Sequence, residues 1–386
     1  MTSMNPVIER TFSTAAAEAL KVIINRTELL ELIGKIQGVI PSKPSTPILS
    51  HVLIEAKGDH LILSASDSMV SVKTLVTAQV IQEGKVVLPA KKFFSLIREL
   101  TSPQIQIEVL SSTIYVRAGT SIFKLHGIQP EEFPALPEYT QAHFINLHAP
   151  TLKELFTRTS FAVAREDSRH LLNGVFLQLT QNMLTLIGTD GKKLAKITAE
   201  LDMQELQGGF IVPLKAIDEM VQALDKDATA KLYLAQDKIA LETSSTTVIS
   251  KLLMGEYPDV NRVIPQKTSA TMHLHREELV TLLRQIALFT SELNHSVRFT
   301  FREGELELSA AHGEVGEGKV SMPVDYSGDL LEIAFNPHFF IDILKHCQDT
   351  TVNFGITDSF NPGVITDQTT ALFVIMPMRL PSNTCS

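Results

Sequence analysis

Cysteine is almost missing from this chain. Only Cys347 and Cys385 occur in 386 residues, one in an apolar helical stretch and one in the tail. That excludes a disulfide framework and fits a reducing cytosol. Long apolar runs are missing too, and nothing approaches the roughly 18 residues that span a bilayer. Residues 1–20 lack the apolar core of a signal peptide and read as a disordered extension. Recognisable catalytic motifs are absent: there is no Walker A loop, no G-x-S-x-G elbow, no H-E-x-x-H and no C-x-x-C. Twelve histidines are scattered. His273 and His275 alternate on an expected strand, but no third ligand stands at metal spacing. Basic charge is also scarce. The net charge of −9, taken alone, argues against a nucleic-acid partner, whose binders usually show a basic footprint, although what matters is how the charge is distributed.

A long repeat is present. His60-Leu-Ile-Leu-Ser-Ala-Ser-Asp67 recurs as Met183-Leu-Thr-Leu-Ile-Gly-Thr-Asp190 and as Glu305-Leu-Glu-Leu-Ser-Ala-Ala-His312. A strand running into a helix follows each time, at 86–94, 209–217 and 333–340, and a final strand closes each unit at 123–127, 250–254 and 373–377. Asp67 and Asp190 are 123 residues apart, Asp190 and His312 122. Solenoid periods run at roughly 20–50 residues. The unit is therefore a whole domain, present three times. The composition, 44% hydrophobic and 20% charged, is that of an ordinary soluble globular protein.

Each copy shows two helical segments with one apolar stripe apiece. The first helices are expected at 26–39, 151–165 and 276–289, the second at 91–100, 215–226 and 337–349. Short alternating strands fill the rest, so each copy reads as helix, about four strands, helix, about four strands. The expected class is α+β. Proline-bearing polar linkers at 134–142 and 265–270 divide the chain. The expected organisation is an extension at 1–20, domains at 21–140, 141–266 and 267–380, and a tail at 381–386. The six helices together carry +2, leaving −11 elsewhere. If they share one surface, it is mildly positive against an acidic exterior.

Two segments stand out. Thr189-Asp-Gly-Lys-Lys193 loosely matches a phosphate-binding turn, although Gly191 also suits an ordinary strand-to-strand turn. Met376-Pro-Met-Arg379 places flexible methionines near the C-terminus, a residue type favoured on surfaces that accept varied partners. It reads equally as a core strand. No metal, cofactor or catalytic residue is expected.

The chain resembles the bacterial DNA polymerase III beta subunits, the sliding clamps. The resemblance is carried by Lys43-Pro-Ser-Thr-Pro-Ile-Leu49, Val87-Leu-Pro-Ala-Lys-Lys-Phe-Phe94, Glu131-Glu-Phe-Pro-Ala-Leu136, Arg169-His-Leu-Leu-Asn-Gly174, Gly188-Thr-Asp-Gly-Lys-Lys-Leu-Ala195, Gly255-Glu-Tyr-Pro-Asp259, Tyr326-Ser-Gly328 and Val374-Ile-Met-Pro-Met-Arg-Leu380. It covers roughly residues 21–380. It implies a head-to-tail homodimeric ring of six clamp domains, with helices lining the hole and antiparallel sheets outside. Such a ring encircles duplex DNA without sequence preference. It is loaded by a clamp loader and confers processivity on the replicative DNA polymerase catalytic subunit. Other polymerases and repair proteins would dock through clamp-binding peptides. The expected location is cytoplasmic, with no membrane partner and no enzymatic activity.

The resemblance also implies site residues. The deep part of a partner-peptide pocket would comprise Leu172, Thr189, Gly191, Lys192, Lys193, Leu194, Pro258, Val263, Val374 and Met376. Its second part would comprise Arg169, Phe339, Phe360, Pro362, Pro377, Met378 and Arg379. Lys43, Arg165 and Glu166 map to DNA-contacting positions. Phe123 and Leu125 map to one side of the dimer contact, Leu288 and Phe289 to the other. The chain departs from the pattern in places. Lys192-Lys193 replaces a frequent His-Arg, Phe339 a frequent Tyr, and Glu166 a glutamine; the segment after Asp358 is shorter than in some relatives. Two other readings compete with the clamp. One is a hydrolase or transferase using Asp190, Lys192 and Lys193. The other is a structural ring that does not hold DNA.

Overall fold

A computed structural model describes residues 20–110, 113–139, 143–201, 207–225, 227–291 and 294–380. Apart from Leu20, the expected N-terminal extension lies outside these residues, as does the expected tail. The first copy runs β1 (Lys21–Asn25), α1 (Arg26–Ile36), β2 (His51–Lys57), β3 (His60–Ser66), β4 (Val70–Thr77), β5 (Gln79–Gln82), β6 (Gly84–Pro89), α2 (Ala90–Glu99), β7 (Gln104–Leu110), β8 (Thr113–Ala118) and β9 (Ser121–His126). The second runs β10 (His143–His148), α3 (Ala149–Ser160), β11 (Gly174–Thr180), β12 (Met183–Thr189), β13 (Lys193–Glu200), β14 (Gly208–Pro213), α4 (Leu214–Ala223), β15 (Thr229–Leu234), β16 (Lys238–Glu242) and β17 (Thr246–Lys251). The third runs β18 (Ala270–His275), α5 (Arg276–Ala287), β19 (Val297–Arg302), β20 (Glu305–His312), β21 (Gly316–Pro323), β22 (Leu331–Phe335), α6 (Pro337–His346), β23 (Thr351–Ile356), β24 (Gly363–Thr366) and β25 (Leu372–Ile375).

The apolar stripes read from the sequence are the buried faces of the helices. Leu29, Leu32, Ile33 and Ile36 of α1 are buried, as are Phe93 and Ile97 of α2. In α6 the buried stripe is Phe340, Ile343 and Leu344. Within each copy the two helices pack on one another. Two of the helix starts are capped by asparagine. Asn25 Oδ1 accepts from Thr27 N at 2.8 Å, and Asn336 Oδ1 accepts from His338 N at 2.9 Å with Pro337 in the first turn. Most of the helices end two to five residues before the expected limits. At α1, Gln37 N still bonds Ile33 O, and the chain then tightens to shorter bonds.

The strand count after the second helix also differs: three strands follow it, not four. The missing strand lies before the first helix. β1 pairs with β7, β10 with β15 and β18 with β23, all antiparallel. No turn separates these leading strands from their helices, so helical periodicity masks β1 and β10 in the sequence, while the strand expected around His273 and His275 is β18. The expected strand at 250–254 is shorter as well. β17 ends at Lys251, and Leu253 makes a single bridge to Ile211. The same closure occurs in every copy, since Val87 bridges Ile128 and Ala334 bridges Met378.

By packing, the chain forms two compact units. The first holds the residues up to 139 together with Ala240–Ile249. It contains the sheet β5-β1-β7-β8-β9 and the antiparallel run β4-β3-β2-β6. The 243–246 turn sits against β4, with Leu75 N donating to Ser245 O and Lys35 Nζ donating to Ser245 Oγ at 2.8 Å. The second unit holds the remainder. Its main sheet has eight strands, β14-β11-β12-β13-β25-β24-β23-β18, and a four-stranded sheet runs β21-β20-β19-β22. The joint is β13 against β25, where Leu194 faces Val374 and Lys193 faces Ile375. Copies two and three thus share one continuous sheet.

Candidate functional site

Asp67, Asp190 and His312 recur because each side chain caps a hairpin turn. Asp67 Oδ1 accepts from Met69 N and Val70 N, and His312 Nδ1 accepts from Glu314 N. In copy two, Asp190 Oδ1 accepts from Lys192 N and Lys193 N, both at 2.8 Å. Thr189 Oγ1 donates to Lys193 O at 2.7 Å and accepts from Gly191 N at 3.0 Å. Gly191 has φ 81°, which suits glycine in this turn. All three amides therefore point inward and form no anion nest. Lys193 Nζ is paired to Asp190 Oδ2 at 2.9 Å, which also argues against the hydrolase or transferase reading of this turn.

The two lysines of the turn meet α6. Lys193 Nζ lies 4.6 Å from the Phe339 ring centroid and Lys192 Nζ lies 5.8 Å from it. Lys192 O accepts from Met376 N at 2.9 Å, so the turn also holds the chain just after β25. Two residues on, Met378 N donates to Ala334 O at 2.7 Å. The segment 376–378 is thus tied to copy two on one side and to β22 on the other.

An apolar cluster lies beside this tie. Leu172, Leu194 and Val374 are buried in it with Ala164, Ile187, Ile211, Tyr257 and Val260. Exposed apolar groups stand next to these buried ones in the chain. Met376 is 36% exposed two residues beyond Val374, and Val263 is 41% exposed with its amide on Val260 O. Phe360 is 88% exposed on a turn built by the Asp358 carboxylate, which accepts from Phe360 N and Asn361 N. The half-buried Pro362 follows, and then Gly363, which pairs with Ile375. Pro258 and Arg379 are exposed; Pro377 and Met378 are half-buried.

Arg169 is held at the same turn. Its guanidinium donates to both carboxylate oxygens of Asp167, at 3.0 and 2.9 Å. A Cβ at Gly191 would stand 3.1 Å from Arg169 Nη2. Side-chain hydrogen bonds from Arg169 hold the Asp167 carboxyl down at about 2, so the pair stays charged. The loop is closed by Ala164 N on Leu172 O and by Asn173, which exchanges hydrogen bonds with Asp167. Arg165 and Glu166 are exposed on this loop. Lys43 is exposed in the first unit. Phe123 is exposed and Leu125 half-buried on β9 of that unit; in the second unit Leu288 is exposed and Phe289 half-buried.

Sequence reasoning missed several of these residues. Asp167 is signalled only by its position two residues before an arginine. Tyr257 and Val260 carry no local signal beyond a short motif. Among the described residues, no group of three His, Cys, Asp or Glu is placed to hold a metal ion. His273 pairs instead with Asp325. Burial pushes the Cys347 thiol up to about 12, leaving it an inert core group. Among the described residues, no helix is long and apolar enough to cross a membrane.

Comparison with known proteins accounts for this arrangement. Residues 20–137, 146–259 and 261–379 match the N-terminal, central and C-terminal domains of the DNA polymerase III beta subunit. The beta sliding clamp of Chlamydia muridarum is 48% identical over 363 residues, covering 94% of this chain and 99% of its own. That of Haemophilus influenzae is 30% identical, covering 92% and 99%. A sliding clamp from Pseudomonas aeruginosa, solved with griselimycin bound, superposes with a TM-score of 0.89 at 29% identity, covering 94% of this chain and all of that one. With all three domain families matched in order, the chain belongs to the DNA polymerase III beta subunit family, the beta sliding clamps.

Proposed function

We infer that this protein is the non-catalytic processivity clamp of a replicative DNA polymerase. It works as a homodimeric ring around duplex DNA, placed there by a clamp loader, and it tethers polymerases and repair proteins. The observation that carries the reading is the triplicated domain, each copy with two matched helices, in register with the three clamp domain families. An enzyme needs no such repetition. The cytoplasm is its place of action. The domains are proposed at 21–140, 141–266 and 267–380. Lys43, Arg165 and Glu166 are proposed to face DNA. Contacts of this kind go to phosphate and carry no sequence information, which suits a protein that slides. The decisive test is topological. Loaded on nicked circular DNA, the protein is expected to stay bound at moderate salt and to leave when the circle is cut. Equal retention on linear and circular DNA counts against the ring.

Partners are proposed to dock at the site described above. Leu172, Leu194, Val263, Val374 and Met376 would receive apolar side chains of a short peptide. Arg169, Met378 and Arg379 would hold its polar end, with Phe339, Phe360, Pro362 and Pro377 completing the wall. Methionine suits this role because it repacks around varied partners. Met376→Ala is expected to weaken a polymerase C-terminal peptide about thirtyfold, which is about 2 kcal/mol. The variant should remain a folded dimer, because the Met376 anchor to Lys192 is a backbone bond. Unchanged affinity by calorimetry on that dimer would place the pocket elsewhere.

A further inference from the structure

One polar side-chain atom is enclosed in the apolar cluster. Tyr257 is only 9% exposed and belongs to the cluster formed with Leu172, Leu194 and Val374. Its ring stacks on Phe176, with centroids 4.8 Å apart and planes 9° apart. Its hydroxyl is enclosed and has no hydrogen-bond partner among the described residues. The cluster residues around it are Leu, Ile, Val and Ala, whose side chains offer no acceptor. Buried hydroxyls are ordinarily paired, and an unpaired one destabilises the protein that holds it. A phenylalanine would fill the same space without that cost.

We propose that the Tyr257 hydroxyl is a specificity-determining donor of the partner site, held for a carbonyl oxygen of the bound peptide. The inference rests on the peptide-site reading and adds to it a hydrogen bond deep in the apolar part. Three observations support it. The hydroxyl shares its cluster with the residues proposed to receive apolar anchors. It lies in the short segment that also carries Pro258 and Val263, so an entering anchor would press on its own neighbourhood. Burial raises the phenol's pKa, so the group stays protonated and acts as a donor. Apolar pockets fix ligand orientation with a few placed polar groups. A pocket built around a donor rejects ligands that leave it unpaired. The same carbonyl chemistry could come from the peptide main chain or from a glutamine side chain.

Tyr257→Phe in the full-length dimer is the test, with peptide affinity and melting temperature read together. A short peptide bearing Gln, Leu and Phe is the probe, beside a second peptide with Gln replaced by Leu. The variant is expected to melt at the same temperature as the parent or higher, and to bind the first peptide roughly five- to tenfold more weakly. That loss corresponds to about 1–1.4 kcal/mol. The same factor on both peptides identifies the main-chain carbonyl; a loss confined to the glutamine peptide identifies the side chain. Unchanged affinity overturns the proposal. So does weaker binding accompanied by a lower melting temperature, because the hydroxyl is then structural. If the unmutated protein binds neither peptide, the site reading itself has failed, a result distinct from either.

Discussion

Asp367→Ala is expected to lower the unfolding free energy by about 3–5 kcal/mol, the usual cost of removing one partner of a buried ion pair. The Asp367 side chain is fully buried and pairs with Arg158 Nη2 at 2.5 Å. The network around them is well satisfied. Arg158 Nε donates to His346 O at 2.8 Å, and Nη1 donates to Thr369 Oγ1 at 2.9 Å and to Glu154 Oε1 at 3.2 Å. Asp367 also accepts from Gln348 N at 3.0 Å. The arginine comes from α3 of copy two and every other group except Glu154 from copy three, so the network fastens these copies at a second place besides the β13–β25 pairing. Removing the carboxylate leaves the enclosed guanidinium with only the half-exposed Glu154 carboxylate as a counter-charge. Arg158→Met combined with Asp367→Leu should recover most of the loss, because an apolar pair of similar volume leaves no charge behind. Chemical denaturation followed by circular dichroism reads both variants. A loss below about 1 kcal/mol for Asp367→Ala would show the charge to be reached by water.

The same pair sets a pH dependence. Burial alone would raise the Asp367 pKa, but hydrogen bonds from Thr369 and Gln348 and the Arg158 charge together outweigh it and hold the group below the ordinary carboxylate value. A folded pKa below the unfolded one gives stability that is complete above the unfolded value, about 4. That stability drains away as pH falls through the folded value. The parent should therefore lose stability in acid more steeply than the apolar double variant.

The fold was legible where local chemistry repeats. Asp67, Asp190 and His312 mark equivalent turns because a turn amide needs a side-chain acceptor, and the helical stripes are visible because burial follows a period of 3.6. The leading strand was legible only in copy three, through the alternation of His273 and His275; in the other two copies Asn25 and His148 end strands and abut helices with no intervening turn. Site positions such as Leu172 and Val374 came from resemblance alone. They lie 202 residues apart in sequence, and only strand pairing brings them together. Arg158 and Asp367 are similarly silent: each reads alone as a surface charge, and 209 residues separate them. Tyr257 sits in the Gly255–Asp259 motif, yet nothing in the sequence reveals that its hydroxyl would be left unpaired.

Leu288→Ala with Phe289→Ala is expected to convert the dimer to monomer. Each unit has an open sheet edge with apolar groups on or beside it. In the first, β9 ends the five-stranded sheet, with Ile122 55% and Phe123 37% exposed. In the second, β21 ends the four-stranded sheet. Leu288, 74% exposed, lies close by in sequence to Phe289, which packs over that strand. A Cβ at Gly318 of β21 would stand 2.7 Å from Phe289 Cδ2, so the ring occupies the space glycine leaves. Phe289 thus seats the exposed Leu288 beside the edge. Open apolar edges invite pairing with another chain. In the proposed head-to-tail dimer the two edges would meet twice, once at each junction. Truncating both side chains should cost roughly 3 kcal/mol or more at each junction, about a hundredfold or greater in affinity. Because ring closure needs both junctions, the losses compound, and sedimentation at micromolar concentration should report monomer. The circular dichroism spectrum should keep its shape, since Leu288 is exposed and Phe289 is only half-buried over an edge strand. A variant that sediments as a dimer would show that the protomers meet through another surface.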